Sequence, residues 1–155
     1  MAYHGVELQN SITIEKIFSI HYFEYMSNFS FAGESHNFWE FICVDKGEVG
    51  VTRGKSYTIL KKGDLIFHKP NEFHDVKATG GIAPNLVVIS FECNDDAMYF
   101  FNDRLLQIDE TERNLLANII IEARRCFDCR LDDPYLQNMP LKDPDTFGAQ
   151  QMIKL

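Results

Sequence analysis

Three residues of the chain, His36, Glu40 and His74, have the types and spacing of a metal site or of a polar ligand site. His36 and Glu40 are four residues apart in a run rich in β-branched and aromatic residues, and His74 follows a second such run. Because residues of equal parity share one face of a β-strand, His36 and Glu40 are expected to point the same way. Two imidazoles and a carboxylate with open coordination positions suit a divalent metal such as iron or manganese. They also suit the polar floor of an organic-ligand pocket, or an interior hydrogen-bonded group that binds nothing.

The strand that carries Glu40 is expected to be buried on both sides. Phe38 and Ile42 share the face of Glu40, and the other face also carries large apolar side chains, namely Trp39, Phe41 and Cys43. An unpaired buried carboxylate is costly, so Glu40 needs a partner. His36 and His74 are the natural candidates.

Up to about residue 93 the sequence predicts β-strands separated by tight turns. The strand-like runs cover residues 12–26, 38–44, 46–52, 56–60, 65–67 and 86–91. Many short strands at roughly even spacing, with Gly, Pro and Asp between them, indicate an antiparallel sandwich or barrel. Aromatic residues at the mouth of a barrel could stack on a sugar ring or an apolar ligand, and Tyr22, Phe38 and Tyr57 are our candidates.

From residue 94 onward the pattern becomes helical. A short helix is predicted over 97–106, and a longer one runs from Asp109, which forms a capping-box pattern with Glu112, to Phe127. A third helix is predicted to start at Asp143-Pro144-Asp145. The chain stops among the apolar residues of this helix, which favours a fragment of a longer protein.

Two stretches of the sequence resemble the two cupin motifs in the form found in the N-terminal domains of AraC-type transcription regulators. The positions that match the first motif are His36, Trp39, Glu40 and Gly47, and those that match the second are Gly63-Asp64, Pro70 and His74. Two positions depart from the metal-binding pattern, because Glu34 replaces the first His and Ala78 replaces an Asn. With its helical tail, the resemblance covers the chain from about residue 12 to the end.

The resemblance implies a mainly β fold, a cupin-type double-stranded β-helix (jelly-roll) barrel followed by two or three α-helices. Residues 1–93 would form the ligand-sensing barrel. Residues 94–155 would form a helical dimerisation and linker segment, truncated before a DNA-binding domain that this chain lacks. The residues before 11 would be a mobile arm.

The function implied by the resemblance is that of an effector-binding sensor without enzymatic activity or cofactor. The effector would be a small molecule, for example a sugar. The residues that we expect to contact it are His36, Phe38, Glu40, His74, Tyr22 and Tyr57. The expected homodimer interface, or alternatively the contact of the helix with the barrel, comprises Leu115, Leu116, Ile119 and Ile120.

Two other functions fit the same motifs. The first is a metal-dependent cupin enzyme, an isomerase or dioxygenase, that holds a divalent metal with His36, Glu40 and His74. The second is a free-standing carbohydrate-binding cupin with no regulatory role, which would have the same pocket in a monomeric protein.

Charge and composition argue against several other classes of protein function. With 15 Lys+Arg against 23 Asp+Glu, a net charge of −8 and no basic patch, the chain is not expected to bind nucleic acid directly. No apolar run approaches the ~18 residues of a membrane helix, and no secretory signal is recognisable, so a cytoplasmic location with reduced cysteines is expected. Cys126 and Cys129 form an isolated C-x-x-C motif at a helix C-terminus, where neither a zinc site nor a redox motif is expected.

Overall fold

The computed structural model describes residues 1–25, 27–142 and 147–155, in which nine β-strands form two antiparallel sheets. Sheet I has the strand order β1-β8-β3-β6-β9, and sheet II has the order β2-β7-β4-β5. The strand bounds are β1 (Lys16–Glu24), β2 (Ser30–Glu34), β3 (Trp39–Lys46), β4 (Glu48–Arg53), β5 (Ser56–Lys61), β6 (Asp64–His68), β7 (His74–Ala78), β8 (Asn85–Glu92) and β9 (Leu105–Gln107). The predicted mainly β jelly-roll barrel followed by helices is confirmed.

The space between the two sheets contains one of the two hydrophobic clusters formed by the described residues. Its buried members come from alternate positions of both sheets and are Phe23, Ile42, Val44, Val49, Val51, Leu60, Ile66, Leu86 and Val88. Because side chains alternate along a strand, the residues between these positions point out of the barrel.

The outer face of sheet I is covered by the segments that follow the barrel. The second cluster combines Ile20, Trp39, Cys43, Leu65, Val87, Ile89 and Phe91 from sheet I with residues of the helices, including Ile120, Ala123 and Ile153. Strand β3 is therefore buried on both sides, as its sequence predicts. A rigid, doubly buried strand holds Glu40 in a fixed position.

Two α-helices follow the barrel in the described part of the chain. Helix α1 spans Glu110–Cys126, and its N-terminus has the predicted capping box between Asp109 and Glu112. Helix α2 spans Ala149–Lys154, whereas the predicted helix start at 143–145 lies outside the described residues. None of the described helices is long and apolar enough to cross a membrane.

The helix predicted over 97–106 is wrong in its second half. A 3-10 helix covers Asp96–Phe101, and Leu105–Gln107 form the edge strand β9. The reason is a long-range one, since Leu105 and Leu106 pair with β6. The sequence pattern does not indicate strands β2 and β7, because they are short and carry charged residues.

The glycines and the aspartate of the two motifs build turns. Gly47 has a φ of 75°, and a Cβ at this position would lie 2.7 Å from the carbonyl oxygen of Ala83. Gly63 has a φ of 88°, and the backbone N–H of Lys61 donates to Asp64 Oδ2 at 2.9 Å. These residues are explained by backbone geometry alone.

The N-terminal segment lies outside the regular elements of the fold. Residues 1–13 are exposed and form neither helix nor strand.

The cysteine pair lies at the end of the first helix. Cys126 is the last residue of α1, and burial raises the pKa of its thiol and that of Cys129. Since the reactive form of cysteine is the thiolate, these shifts disfavour a redox role for the pair.

Candidate functional site

A cavity of about 410 Å³ lies inside the barrel and includes the predicted His36, Glu40 and His74. Residues of both sheets line it, together with the segment 134–137 that follows α1. Its size falls within the usual range of roughly 300–1,000 Å³ for small-molecule sites.

Glu40 is at the centre of a polar floor in this cavity. Strand pairing places Glu40 opposite Ser90 of β8, whose hydroxyl donates to Glu40 Oε2 at 2.6 Å. Glu40 Oε1 lies 3.2 Å from His74 Nε2, and Oε2 lies 3.5 Å from His36 Nε2. Neither imidazole contact has the alignment of a full hydrogen bond. Beside the floor, Ser19 donates its hydroxyl to that of Ser90 at 3.0 Å.

Both imidazole rings of the floor are held by backbone carbonyl groups. His36 Nδ1 lies 3.0 Å from the carbonyl oxygen of Phe38, and His74 Nδ1 lies 3.0 Å from that of Glu72. A carbonyl oxygen can only accept, so Nδ1 carries a proton in both rings. The Nε2 atoms therefore face Glu40, as donors in a charged ring and as acceptors in a neutral one.

The electrostatics of the floor favour a buried ion pair between Glu40 and His74. Burial by itself would raise the pKa of Glu40, but the contacts with His36 and His74 and the hydrogen bond from Ser90 hold it below its ordinary value of 4.5. Burial would likewise lower the pKa of His74, but Glu40 raises it above 6.5. Glu40 and His74 therefore each favour the charged form of the other.

A third histidine, His68, supports the floor from within the barrel. It is fully buried, and its ring stacks on that of His74 with centroids 4.2 Å apart. Burial, together with the positive charge of His74, lowers its pKa to about 3. His68 is therefore neutral at physiological pH.

The walls of the cavity are largely aromatic. On one side Phe18 stacks on Phe38 at 4.0 Å between centroids, and Phe38 stacks on His36 at 3.9 Å. On another, His21 stacks on Phe23 at 4.6 Å, and Phe23 stacks on Tyr25 at 4.7 Å. Such walls bind the faces of flat molecules and offer few hydrogen bonds.

The cavity brings together four of the six predicted effector residues, His36, Phe38, Glu40 and His74, and excludes two. Tyr22 lies on the opposite face of β1, where its hydroxyl donates to Asp45 Oδ2 at 2.9 Å. Tyr57 is 60% exposed on the outer face of β5, because alternation places Leu60 inside the barrel. Neither tyrosine lines the cavity.

The four predicted interface residues of α1 have different environments. Leu115 is 58% exposed, Leu116 and Ile119 are half-buried, and Ile120 is buried against sheet I. The helix thus uses Ile120 for contact with the barrel and leaves Leu115 on the surface.

Several cavity residues are additional to the sequence prediction. The face of β1 that carries Ser19, His21 and Phe23 has a detectable signal, since these residues alternate with core positions. Phe18 joins them because the β1–β8 register shifts between Ile17 and Ser19. Ser90 and the segment 134–137 have no local signal, because only long-range pairing and packing place them here.

Four residues of the floor are arranged so that they could hold a metal ion. One ligand atom from each of Glu34, His36, Glu40 and His74 lies within 4.8 Å of the others. Glu34 occupies the sequence position of the missing first histidine. Its Oε1 lies 3.9 Å from His36 Nε2. Donation of Nδ1–H to a carbonyl is also the usual orientation of a metal-binding histidine.

Comparisons with known proteins give a family match and several distant structural matches. The model of the AraC-like ligand binding domain family matches residues 18–100. No curated protein matches the sequence.

Similar solved structures include a conserved SPY1581 protein of unknown function from Streptococcus pyogenes (12% identity, TM-score 0.39), with 42% of this chain and 55% of that chain covered. A cupin 2 conserved barrel domain protein from Rhodopseudomonas palustris shows 20% identity, a TM-score of 0.42 and coverage of 63% and 60%. A cupin superfamily protein from Desulfitobacterium hafniense shows 14% identity, a TM-score of 0.44 and coverage of 56% and 84%. The chain thus spans about half the length of the Streptococcus protein.

Proposed function

The chain belongs to the AraC-like ligand-binding domain family, and we propose that its barrel cavity binds the small-molecule effector of a transcription regulator. The observation that carries this proposal is a cavity of about 410 Å³ with a fixed polar floor and aromatic walls. We further propose that the domain acts in the cytoplasm without catalysing a reaction. DNA would be bound only by a further domain of the regulator.

The effect of ligand binding would be transmitted from the cavity to the helices by the segment that follows α1. The carbonyl oxygen of Leu131 accepts a hydrogen bond from the backbone N–H of Tyr22 at 3.1 Å, and His21 Nδ1 lies 3.3 Å from it. Residues 134–137 then continue along the cavity. A ligand that contacts β1 and this segment together can favour one arrangement of them, and only such differential affinity can regulate.

Exposed apolar side chains on α1 support a homodimer as the regulated assembly. Leu115 and Ile121 of α1 are exposed at 58% and 44%. Burial of these side chains against a second copy would stabilise a dimer, and the dimer geometry would set the spacing of DNA-binding domains on two half-sites.

For a carbohydrate effector, the cavity offers ring faces for stacking but few polar side chains for the hydroxyl groups. Apart from the floor, the described cavity residues that carry a hydrogen-bonding side chain are Ser19, His21, Tyr25, Tyr135 and Gln137. A sugar would therefore depend on these five side chains and the floor for its hydroxyl groups, and sugars are among the ligands to be tested.

The proposal is tested by a thermal-shift screen of sugars, amines and carboxylates, followed by calorimetric titration of the compounds that stabilise the protein. A ligand that binds only the folded state stabilises it by about 2.7 kcal/mol at a hundredfold excess over its Kd. We expect Phe38→Ala to weaken binding about tenfold or more, because it removes one cavity wall. Tyr57→Ala, outside the cavity, should leave binding unchanged. Equal binding to wild type and Phe38→Ala would contradict a site in this cavity.

A second candidate is a sensor of a divalent metal ion, and the orientation of the histidines favours it. With both Nδ1 protons directed to carbonyls, the Nε2 atoms of His36 and His74 converge with the carboxylates of Glu34 and Glu40. Imidazole with carboxylate suits Zn²⁺, Fe²⁺, Mn²⁺ or Ni²⁺. A bound metal would supply a positive charge to the floor and an attachment point for an effector.

The metal candidate is tested by elemental analysis of protein purified without chelator and then exposed to each metal. Stoichiometric metal is expected in the wild type and in His68→Phe, whose histidine lies outside the four-residue set. Loss of metal is expected in His74→Ala. A metal-free wild type after exposure would exclude this candidate and leave the organic effector.

A further inference from the structure

The charge of the cavity limits the chemistry of its ligand, and the following inference rests on the proposed sensor function. Two carboxylates, Glu34 and Glu40, line the cavity. Among the described residues that line it, none is a lysine or an arginine. A carboxylate or phosphate ligand would therefore meet two carboxylates, of which only Glu40 is paired with a histidine that can carry a positive charge, His74.

The floor also has more hydrogen-bond acceptors than donors. The hydroxyl of Ser90 donates to Glu40 Oε2, and His74 Nε2 lies 3.2 Å from Glu40 Oε1. His36 has its Nδ1 proton committed to the carbonyl of Phe38, so its Nε2 is an acceptor when the ring is neutral. That Nε2 lies 3.5 Å from Glu40 Oε2 and 3.9 Å from Glu34 Oε1. The carboxylates of Glu34 and Glu40 thus converge at the floor of the cavity, where a ligand that donates hydrogen bonds or carries a positive charge is favoured.

The walls beside this point are ring faces. Phe38 stacks directly on the ring of His36 with an interplanar angle of 8°, and Phe18 continues the stack. Aromatic faces attract cations as well as flat apolar groups. The same cavity therefore combines an acceptor-rich end with a body suited to a planar ring.

From this combination we propose that the effector is an aromatic amine that binds with its protonated amino group at the floor. The ammonium group donates to the carboxylates of Glu34 and Glu40. The ring of the ligand packs against the aromatic walls. Glu34 is the residue that gives the site its preference for a cation, since the charge of Glu40 is already paired with His74.

The test is calorimetric titration of the wild-type protein with four probes that share a size range but differ in charge. The probes are 2-phenylethylamine, 2-phenylethanol, phenylacetate and D-glucose. We expect the amine to bind about tenfold more tightly than the alcohol, because a hydrogen bond to a charged group is worth more than a neutral one. Phenylacetate and glucose are expected to bind more weakly than the alcohol.

Glu34→Gln removes the charge of Glu34 and keeps the size of its side chain. Because this side chain is 51% exposed, the substitution should not unfold the barrel. We expect this variant to lose most of the preference for the amine while its affinity for 2-phenylethanol stays unchanged. Glu7→Gln, in the exposed N-terminal segment, is the matched control and should retain the preference.

Each contrary result has a distinct meaning. Tighter or equal binding of the alcohol, phenylacetate or glucose would overturn the amine class but support a sensor cavity. An amine preference that survives in Glu34→Gln would overturn the role of Glu34 and with it the proposed site. Failure of all four probes would also overturn the amine class, whereas the sensor function fails only if the wider screen finds no binding that depends on Phe38.

Discussion

Replacement of Glu40 by alanine is expected to lower the free energy of unfolding by about 3 kcal/mol at pH 7. The carboxylate is buried between His36, His74 and Ser90, and its loss leaves His74 and the hydroxyl of Ser90 without the partner that they face. Removal of one member of a buried ion pair typically costs about 3–5 kcal/mol. Urea denaturation measures the change directly, and the melting temperature should fall by roughly 6–12 °C.

Two further variants show whether the loss arises from the buried charge. Glu40→Gln should cost less at pH 7, because its amide can accept from Ser90 and donate to a neutral His74 Nε2. Burial would then act on His74 without an opposing anion, so NMR titration should find its pKa below the ordinary 6.5 instead of above it. Glu34→Ala, with a half-exposed carboxylate, should cost less than about 1 kcal/mol. Similar losses in Glu40→Ala and Glu34→Ala would contradict the buried floor.

The contribution of the Glu40–His74 pair to stability decreases at both low and high pH. Glu40 has a pKa below its unfolded value, so its stabilising effect is present above about pH 4.5 and is lost as the pH falls through the folded pKa. His74 has a raised pKa, so its effect is fully present below pH 6.5 and is lost as the pH rises through the folded pKa. The pair therefore contributes most between these two limits.

The sequence was sufficient to predict His36, Glu40 and His74 of the floor and Phe38 of the walls, but not the rest of the cavity lining. Spacing and parity placed His36 and Glu40 together, and the second motif added His74. The prediction for Tyr22 and Tyr57 is wrong about the face of the strand, because the sequence alone does not fix the strand register. The register places Tyr22 on the helix side of β1, next to Asp45, and Tyr57 on the outside of sheet II.

The parts that could not be predicted depend on contacts between distant positions. Ser90 reaches Glu40 only because β8 pairs with β3, fifty residues earlier in the chain. Leu105–Gln107 form a strand only because the edge of β6 is available to them. The closeness of the segment 134–137 to the cavity likewise follows from the packing of Leu131 in the core. Local propensity contains none of this information.

His68 is expected to make the protein less stable as the pH falls below 6.5. The pKa of this fully buried ring is lowered from 6.5 to about 3, so the unfolded chain binds a proton between these values and the folded chain does not. A shift of one unit corresponds to about 1.4 kcal/mol, so His68 should reduce the free energy of unfolding by about 2 kcal/mol between pH 6.5 and pH 5. His21, whose pKa is also lowered by burial, acts in the same direction, whereas His74 acts in the opposite one.

His68→Phe isolates this contribution, because phenylalanine keeps a ring that can stack on His74 and cannot take up a proton. We expect the difference in free energy of unfolding between wild type and variant to shift by about 2 kcal/mol in favour of the variant from pH 7 to pH 5. His4→Gln, at an exposed position, should follow the wild type at both pH values. If His68→Phe showed the wild-type pH dependence, the neutral state of His68 would be disproved. The electrostatic effect of His74, Glu40, Arg53 and His36 on the pKa of His68 would then differ from the one described above.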